Sequence, residues 1–195
     1  MEKITIGIIG HRNIAAEAIP EITKELSNFL DKIEEIGFEP IIVSSLAEGG
    51  DRIGAWVAIK RKLELWVPLP FKKERYEEDF PESKEEFNYL LRYASKVFVE
   101  EGEIEYEQAA RWIARECQIV IALWDGKDRY NPQAPVAGTA YSVRLRTIPG
   151  QAYYPSYTYH IDSPRKEYRQ RQEPEWIDYE WEKIKERLKK VYTVV

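Results

Sequence analysis

At 195 residues with 44% apolar side chains, the chain can build one full-sized core and is too short for two ordinary domains. The 29 basic against 34 acidic residues give a formal charge of −5, which excludes a broad cationic field, so no nucleic-acid partner is expected and basic groups must act locally. One cysteine, Cys117, and two histidines, His11 and His160, exclude a disulfide framework and a Cys/His-rich metal centre; no metal and no cofactor are expected. Met1 leads directly into Lys3-Ile4-Thr5-Ile6, and no apolar run approaches the roughly 20 residues of a membrane span, so a cytoplasmic location with no membrane partner is expected.

Short β-rich runs alternate with helical stretches, the pattern of a parallel sheet covered by helices: an α/β, Rossmann-like open sheet. Ile4 to Ile9 reads as a central strand, apolar on both faces, leaving through Gly10-His11-Arg12-Asn13. Ile19, Ile22, Leu26, Phe29, Leu30 and Ile33 follow a helical period, closed by Gly37 at the position of a left-handed cap. Glu39 to Val43 is the second strand and Ile53 to Arg61 the second helix, with Ser44 to Arg52 between them. Leu63 to Val67 is the third strand, stopped by Pro68-Leu69-Pro70. Lys72 to Ser83 is so charged that it reads as an excursion over the sheet edge, too polar for core.

Further on, Glu85 to Ala94 reads as a helix, Lys96 to Val99 as a short strand, Glu105 to Cys117 as a helix and Gln118 to Leu123 as an apolar strand ending at Trp124-Asp125-Gly126. Residues 127–137 form a long loop of the functional kind. Gly138-Thr139 opens a helix to about Arg146, and Tyr157 to Ile161 is the last strand. From Pro164 the composition turns charged, with a stripe of Trp176, Tyr179, Trp181, Ile184, Leu188 and Val191. The expected organisation is a binding domain over 1–163 and a C-terminal helical extension over 164–195.

Ligands of open parallel sheets bind beyond the carboxyl ends of the strands, where helix N-termini favour anions. Four exits carry suitable residues. Gly10, His11 and Arg12 combine close backbone approach with a guanidinium suited to phosphate. Ser44, Ser45, Glu48, Gly49, Asp51 and Arg52 supply hydroxyls, amides and carboxylates for a phosphate or ribose, while Asp51 equally suits a helix cap. Trp124, Asp125 and Gly126 offer an indole for a base, or core packing, and a carboxylate for a sugar. Gly138 and Thr139 stand at a helix start able to hold an anion. Lys72 and Lys73, beside Tyr76 and Asp79, reach the ligand or are simply solvated. His160 and Cys117 read as structural.

In this order the exits resemble the SLOG superfamily, which joins the Smf/DprA proteins and the LOG phosphoribohydrolases. The resemblance rests on Gly7-Ile8-Ile9-Gly10-His11-Arg12, Ser45 to Arg52, Leu69-Pro70-Phe71 with Tyr76-Glu77-Glu78-Asp79-Phe80, Ala122 to Gly126 and Gly138-Thr139-Ala140. It implies a nucleotide or nucleotide-derived small molecule as ligand, a homodimer or homo-oligomer, and either a ligand sensor of bacterial conflict (antiviral defence) systems or a hydrolase. The hydrolase branch has two glycines and a threonine followed three residues later by glutamate. Here Gly138 and Thr139 match, but Ala137 precedes them and Ser142 takes the glutamate's place.

That departure favours a nucleotide-binding sensor or sequestering protein with no catalytic residue. The enzyme alternative, cleavage of an N-glycosidic bond, would need Glu48, Asp51 or Asp125 as the replacement anion. A third alternative is a protein-interaction module with a vestigial pocket.

Overall fold

The computed structural model describes residues 2–99, 105–127, 138–147, 157–166 and 181–192. Six strands form one sheet in the order β4-β3-β2-β1-β5-β6: β1 (Glu2–Gly10), β2 (Phe38–Val43), β3 (Glu64–Leu69), β4 (Lys96–Val99), β5 (Ile119–Trp124) and β6 (Tyr157–Asp162). Every pairing is parallel. The order reverses at β1, which sits between β2 and β5, so the crossovers diverge there and open a crevice at its carboxyl end. The expected α/β parallel architecture with a C-terminal helical extension is what the chain adopts.

Strand β5 is buried along its whole length, as a central parallel strand must be, and Ile4, Ile6, Ile8 and Ile9 of β1 are buried with it. Helix α1 (Ile19–Glu35) buries Ile22, Leu26, Phe29, Leu30 and Ile33 on one face, has proline in its first turn and ends before Gly37 at φ 96°. Helix α2 (Gly50–Arg61) begins three residues earlier than the apolar period predicts. Strand β3 also runs on through Pro68 and Leu69; past Trp66 it no longer pairs with β2, so on that side the missing proline N–H removes no ladder bond.

The segment after β3 is where the sequence reading fails most clearly. Helix α3 (Lys73–Tyr76), a 3₁₀ turn (Glu77–Asp79) and helix α4 (Lys84–Leu91) carry charges outward. Yet Tyr76, Phe80 and Phe87 are fully buried core residues, with ring centroids 4.9 Å apart for Tyr76 and Phe80 and 5.8 Å for Phe80 and Phe87. Charged neighbours raised the average polarity of the window and hid the aromatic anchors Tyr76 and Phe80, four residues apart.

Helices α5 (Glu105–Glu116) and α6 (Thr139–Thr147) pack against each other and on the sheet, in a core with Val120, Ala122 and Trp124. Arg146 of α6 donates to the carbonyls of Ala114, Cys117, Gln118 and Tyr157 at 2.6, 2.7, 3.2 and 3.0 Å, tying the end of α5 to the starts of β5 and β6. Helix α7 (Trp181–Tyr192) sends Ile184 and Leu188 into the main core, and Trp181 meets Phe29 edge-on at 5.4 Å. Trp176, Tyr179 and residues 128–137 lie outside the described residues. No described helix is long and apolar enough to cross a membrane.

Candidate functional site

The β1 exit and the loop after β2 are joined backbone to backbone. A side chain at Gly10 would place its Cβ 2.6 Å from the Gly50 Cα, and one at Gly49 would stand 2.1 Å from the His11 carbonyl oxygen. Gly49 also holds φ 79°, a region other residues adopt at a cost. Across this contact the Gly50 N–H donates to the His11 carbonyl (3.0 Å), and the His11 N–H to the Leu123 carbonyl (3.1 Å). Gly10, His11, Gly49 and the end of β5 are thereby assembled at one rim.

Side chains complete the join. The His11 Nε2 and an Asp125 carboxylate oxygen lie 3.0 Å apart, and Asp125 also accepts from the Lys127 N–H, shaping the turn that carries Gly126 at φ 75°. Asp51 is not a cap: it lies in the first turn of α2, whose N-cap is Gly49. Burial pushes its carboxyl up to about 7, against the pull of the Ala47 and Gly10 amides and the Arg12 and Arg52 guanidiniums.

Several predicted ligand groups turn out to be braces. Ser44 is fully buried, donating to the Asp51 carbonyl (2.8 Å) and accepting from the Leu46 N–H (3.2 Å). Arg52, 3% exposed, donates to the Leu46 carbonyl (3.1 Å), the Ser83 carbonyl (3.3 Å) and Glu86 (2.8 Å). Glu48 accepts from the Ser83 hydroxyl. Trp124 is 0% exposed and its indole N–H donates to the Lys127 carbonyl, so its face is closed to a base; the packing alternative is the one realised. Ser45 is 8% exposed, at the mouth of the same loop.

Arg12 behaves otherwise. Its side chain is exposed, and among the described residues its guanidinium has no ion-pair or hydrogen-bond partner; it lies over the Phe80 ring at 5.4 Å. Tyr76, Asp79 and Tyr106 surround this position: Arg12 and Asp79 both act electrostatically on the two tyrosines, and the Tyr106 hydroxyl donates to Asp79. Phe80 and Tyr106 were not among the predicted site residues. Their signal was the spacing of Tyr76 and Phe80 within a charged run.

Gly138 and Thr139 reach the rim through topology. Because β5 and β6 are parallel, α6 must return from the carboxyl edge, which places its N-terminus there. Thr139 is buried, and no described side-chain contact links it to Arg12. Lys72 is exposed at the start of α3 and is not drawn into the cluster. His160, bonded to the Trp124 carbonyl at 2.8 Å, and fully buried Cys117 are structural, as expected. Among the described residues, no cluster of three or more His, Cys, Asp or Glu suits a metal ion.

No family model matches the chain, and no curated protein matches it. Among solved structures, DNA processing protein A (DprA) from Streptococcus pneumoniae superposes with a TM-score of 0.51 at 16% identity, over 74% of this chain and 47% of that one. A structure concerned with the single-stranded DNA binding mode of DNA processing protein A from Helicobacter pylori gives a TM-score of 0.45 at 15% identity, over 77% of this chain and 74% of that one. The chain spans about half the length of the Streptococcus protein.

The Streptococcus likeness is to a DNA processing protein, so the expectation of a nucleotide-binding sensor, its hydrolase alternative and the exclusion of nucleic acid are corrected. The physical error lay in the charge argument: a net charge of −5 averages the whole surface, whereas contact with a phosphate is decided by the few cations at the rim. What the likeness establishes is the fold alone, a parallel α/β architecture shared with DNA processing protein A.

Proposed function

We propose that the carboxyl rim of the sheet binds the sugar–phosphate backbone of single-stranded DNA, with Arg12 as the principal phosphate contact. The observation that carries this reading is the exposed Arg12 guanidinium, held over Phe80 with no acceptor among the described residues. A guanidinium with no ion-pair or hydrogen-bond partner among the described residues, at the switch point of a parallel sheet, suits a phosphate oxygen. His11, Gly10, Gly49, Gly126 and the N-terminus of α6 with Gly138 and Thr139 line the same edge, while Ser44, Glu48, Asp51 and Arg52 hold its shape. The acidic whole and narrow cationic rim suit a flexible single strand, which can bring one phosphate at a time to Arg12, better than a rigid duplex. The fold shared with a DNA processing protein supports the same partner.

We further propose that residues 1–163 are the binding unit and 164–195 an extension that buttresses it. The Ala15 N–H donates to the Pro164 carbonyl and the Lys166 N–H to the Asn13 carbonyl, both at 2.8 Å, so the start of the extension grips the residues next to Arg12.

The test is fluorescence anisotropy of a labelled oligodeoxythymidylate over a series of salt concentrations. Wild type should bind, and Arg12→Ala should weaken binding with a salt slope shallower by about 0.7, the loss of one phosphate contact on a single strand. Absence of binding, an unchanged slope, or a mononucleotide that binds as tightly as the oligomer would overturn the proposal.

A further inference from the structure

Beyond the rim, α5 meets two aromatic groups, of which the one deeper along the strands is left half open. Phe71, just past β3, meets Tyr106 of α5 edge-on at 4.6 Å. Deeper along the strands, Phe98 of β4 lies 4.6 Å from Trp112 of α5. Lys96, the register partner of Trp66 on β3, places its ammonium 4.5 Å from the Trp66 ring and 5.1 Å from Phe98. Trp66, Phe98 and Trp112 are each partly exposed and Lys96 is exposed. In a strand that alternates faces, Lys96 and Phe98 share this side while Val97 and Val99 take the other.

Three features distinguish this patch from ordinary packing. Helix α5 leads toward it from the rim, since Tyr106, on which Arg12 acts electrostatically, and Trp112 stand on that one helix. Its one exposed cation is set among the rings, where a polyanion with flat bases finds both of its complements. It also lies near the edge of the sheet, where β4 is the outermost of the described strands. The acidic group beside it, Glu64, is already engaged by Lys3 and by the Trp66 indole N–H.

We propose that Trp66, Phe98 and Trp112, with Lys96 among them, form a stacking surface for the bases of a single DNA strand whose backbone Arg12 holds. This rests on the rim reading and adds to it the direction in which the strand leaves. From Leu69 at the rim to Trp66 is roughly 10 Å along an extended strand, so successive bases pass from the rim onto the rings. Stacking of this kind is indifferent to sequence, because every base has a flat face.

The experiment compares an oligodeoxythymidylate of about 12 nucleotides, within the span of one compact single-strand site, with an abasic strand of the same length. The proteins are wild type, Arg12→Ala, Trp66→Leu and Phe98→Leu; leucine keeps apolar bulk on the sheet and removes the flat ring. Trp66→Leu and Phe98→Leu should each weaken binding of the thymidine strand about tenfold and leave the abasic strand unchanged. If both variants bind the thymidine strand as wild type does while Arg12→Ala fails, the stacking surface is wrong and the rim stands. Equal loss on both strands likewise refutes stacking. If wild type binds neither strand, the rim reading fails and this proposal falls with it. A second variant, Lys96→Glu, changes an exposed side chain and should weaken both strands.

Discussion

Two arginines at opposite ends of the sheet divide the labour of this molecule. Arg146, at the amino-terminal edge, is 7% exposed and fans over four backbone carbonyls. Arg12, at the carboxyl edge, is exposed and has a ring beneath it but no acceptor among the described residues. A buried cation engaged by four carbonyls is part of the framework; an exposed one with no acceptor among the described residues is available to a ligand. The same residue type thus stabilises one end and offers chemistry at the other.

The contrast breaks first at Arg146. Arg146→Ala removes the guanidinium from four carbonyls, of which that of Gln118 also accepts from the Tyr157 N–H, and should cost about 4 kcal/mol, read as a lower urea midpoint, with strand binding retained where the protein is still folded. Next is Gly49→Ala, which forces a side chain against the His11 carbonyl at positive φ; a loss of about 3 kcal/mol is expected in the same assay, with strand binding weakened as well.

Asp51 sharpens the comparison through pH. Its folded value near 7 lies above the ordinary carboxylate value, so the stability it permits is full below about pH 4 and is lost as pH rises through 7. Asp51→Asn should therefore gain on the order of 2 kcal/mol over wild type at pH 8 relative to pH 4, measured by urea unfolding at both. Smallest of all, Arg12→Ala should change folding stability by less than about 0.5 kcal/mol while weakening strand binding. A large stability loss there would erase the distinction between the two ends.

The central strands were legible because burial on both faces leaves a local signature, and Ile4 to Ile9 and the apolar run to Leu123 carry it. Gly10 was legible as a point of close backbone approach, but the approach is to the Gly50 backbone, where the sequence reading expected a ligand. What stayed hidden depends on distant partners. Nothing near Arg146 in the chain announces four carbonyls from α5, β5 and β6. Arg52 and Ser44 look like ligand groups until Leu46 and Ser83 are seen to engage Nε and Nη1 of the arginine and Asp51 the serine hydroxyl. Trp124 reads as a stacking face in a Trp-Asp-Gly turn, and only the packing of α6 against β5 shows it sealed. Phe80 was masked by the charges around it, although it is the platform on which Arg12 rests.

The most direct measurement of where the strand lies is amide hydrogen exchange with and without a saturating single-stranded oligonucleotide. Slowed exchange in residues 10–13, 46–52 and 124–126, with the amino-terminal edge around Gln118 and Tyr157 unchanged, is the predicted result. Protection confined to that amino-terminal edge, or no protection at the rim, would contradict the account.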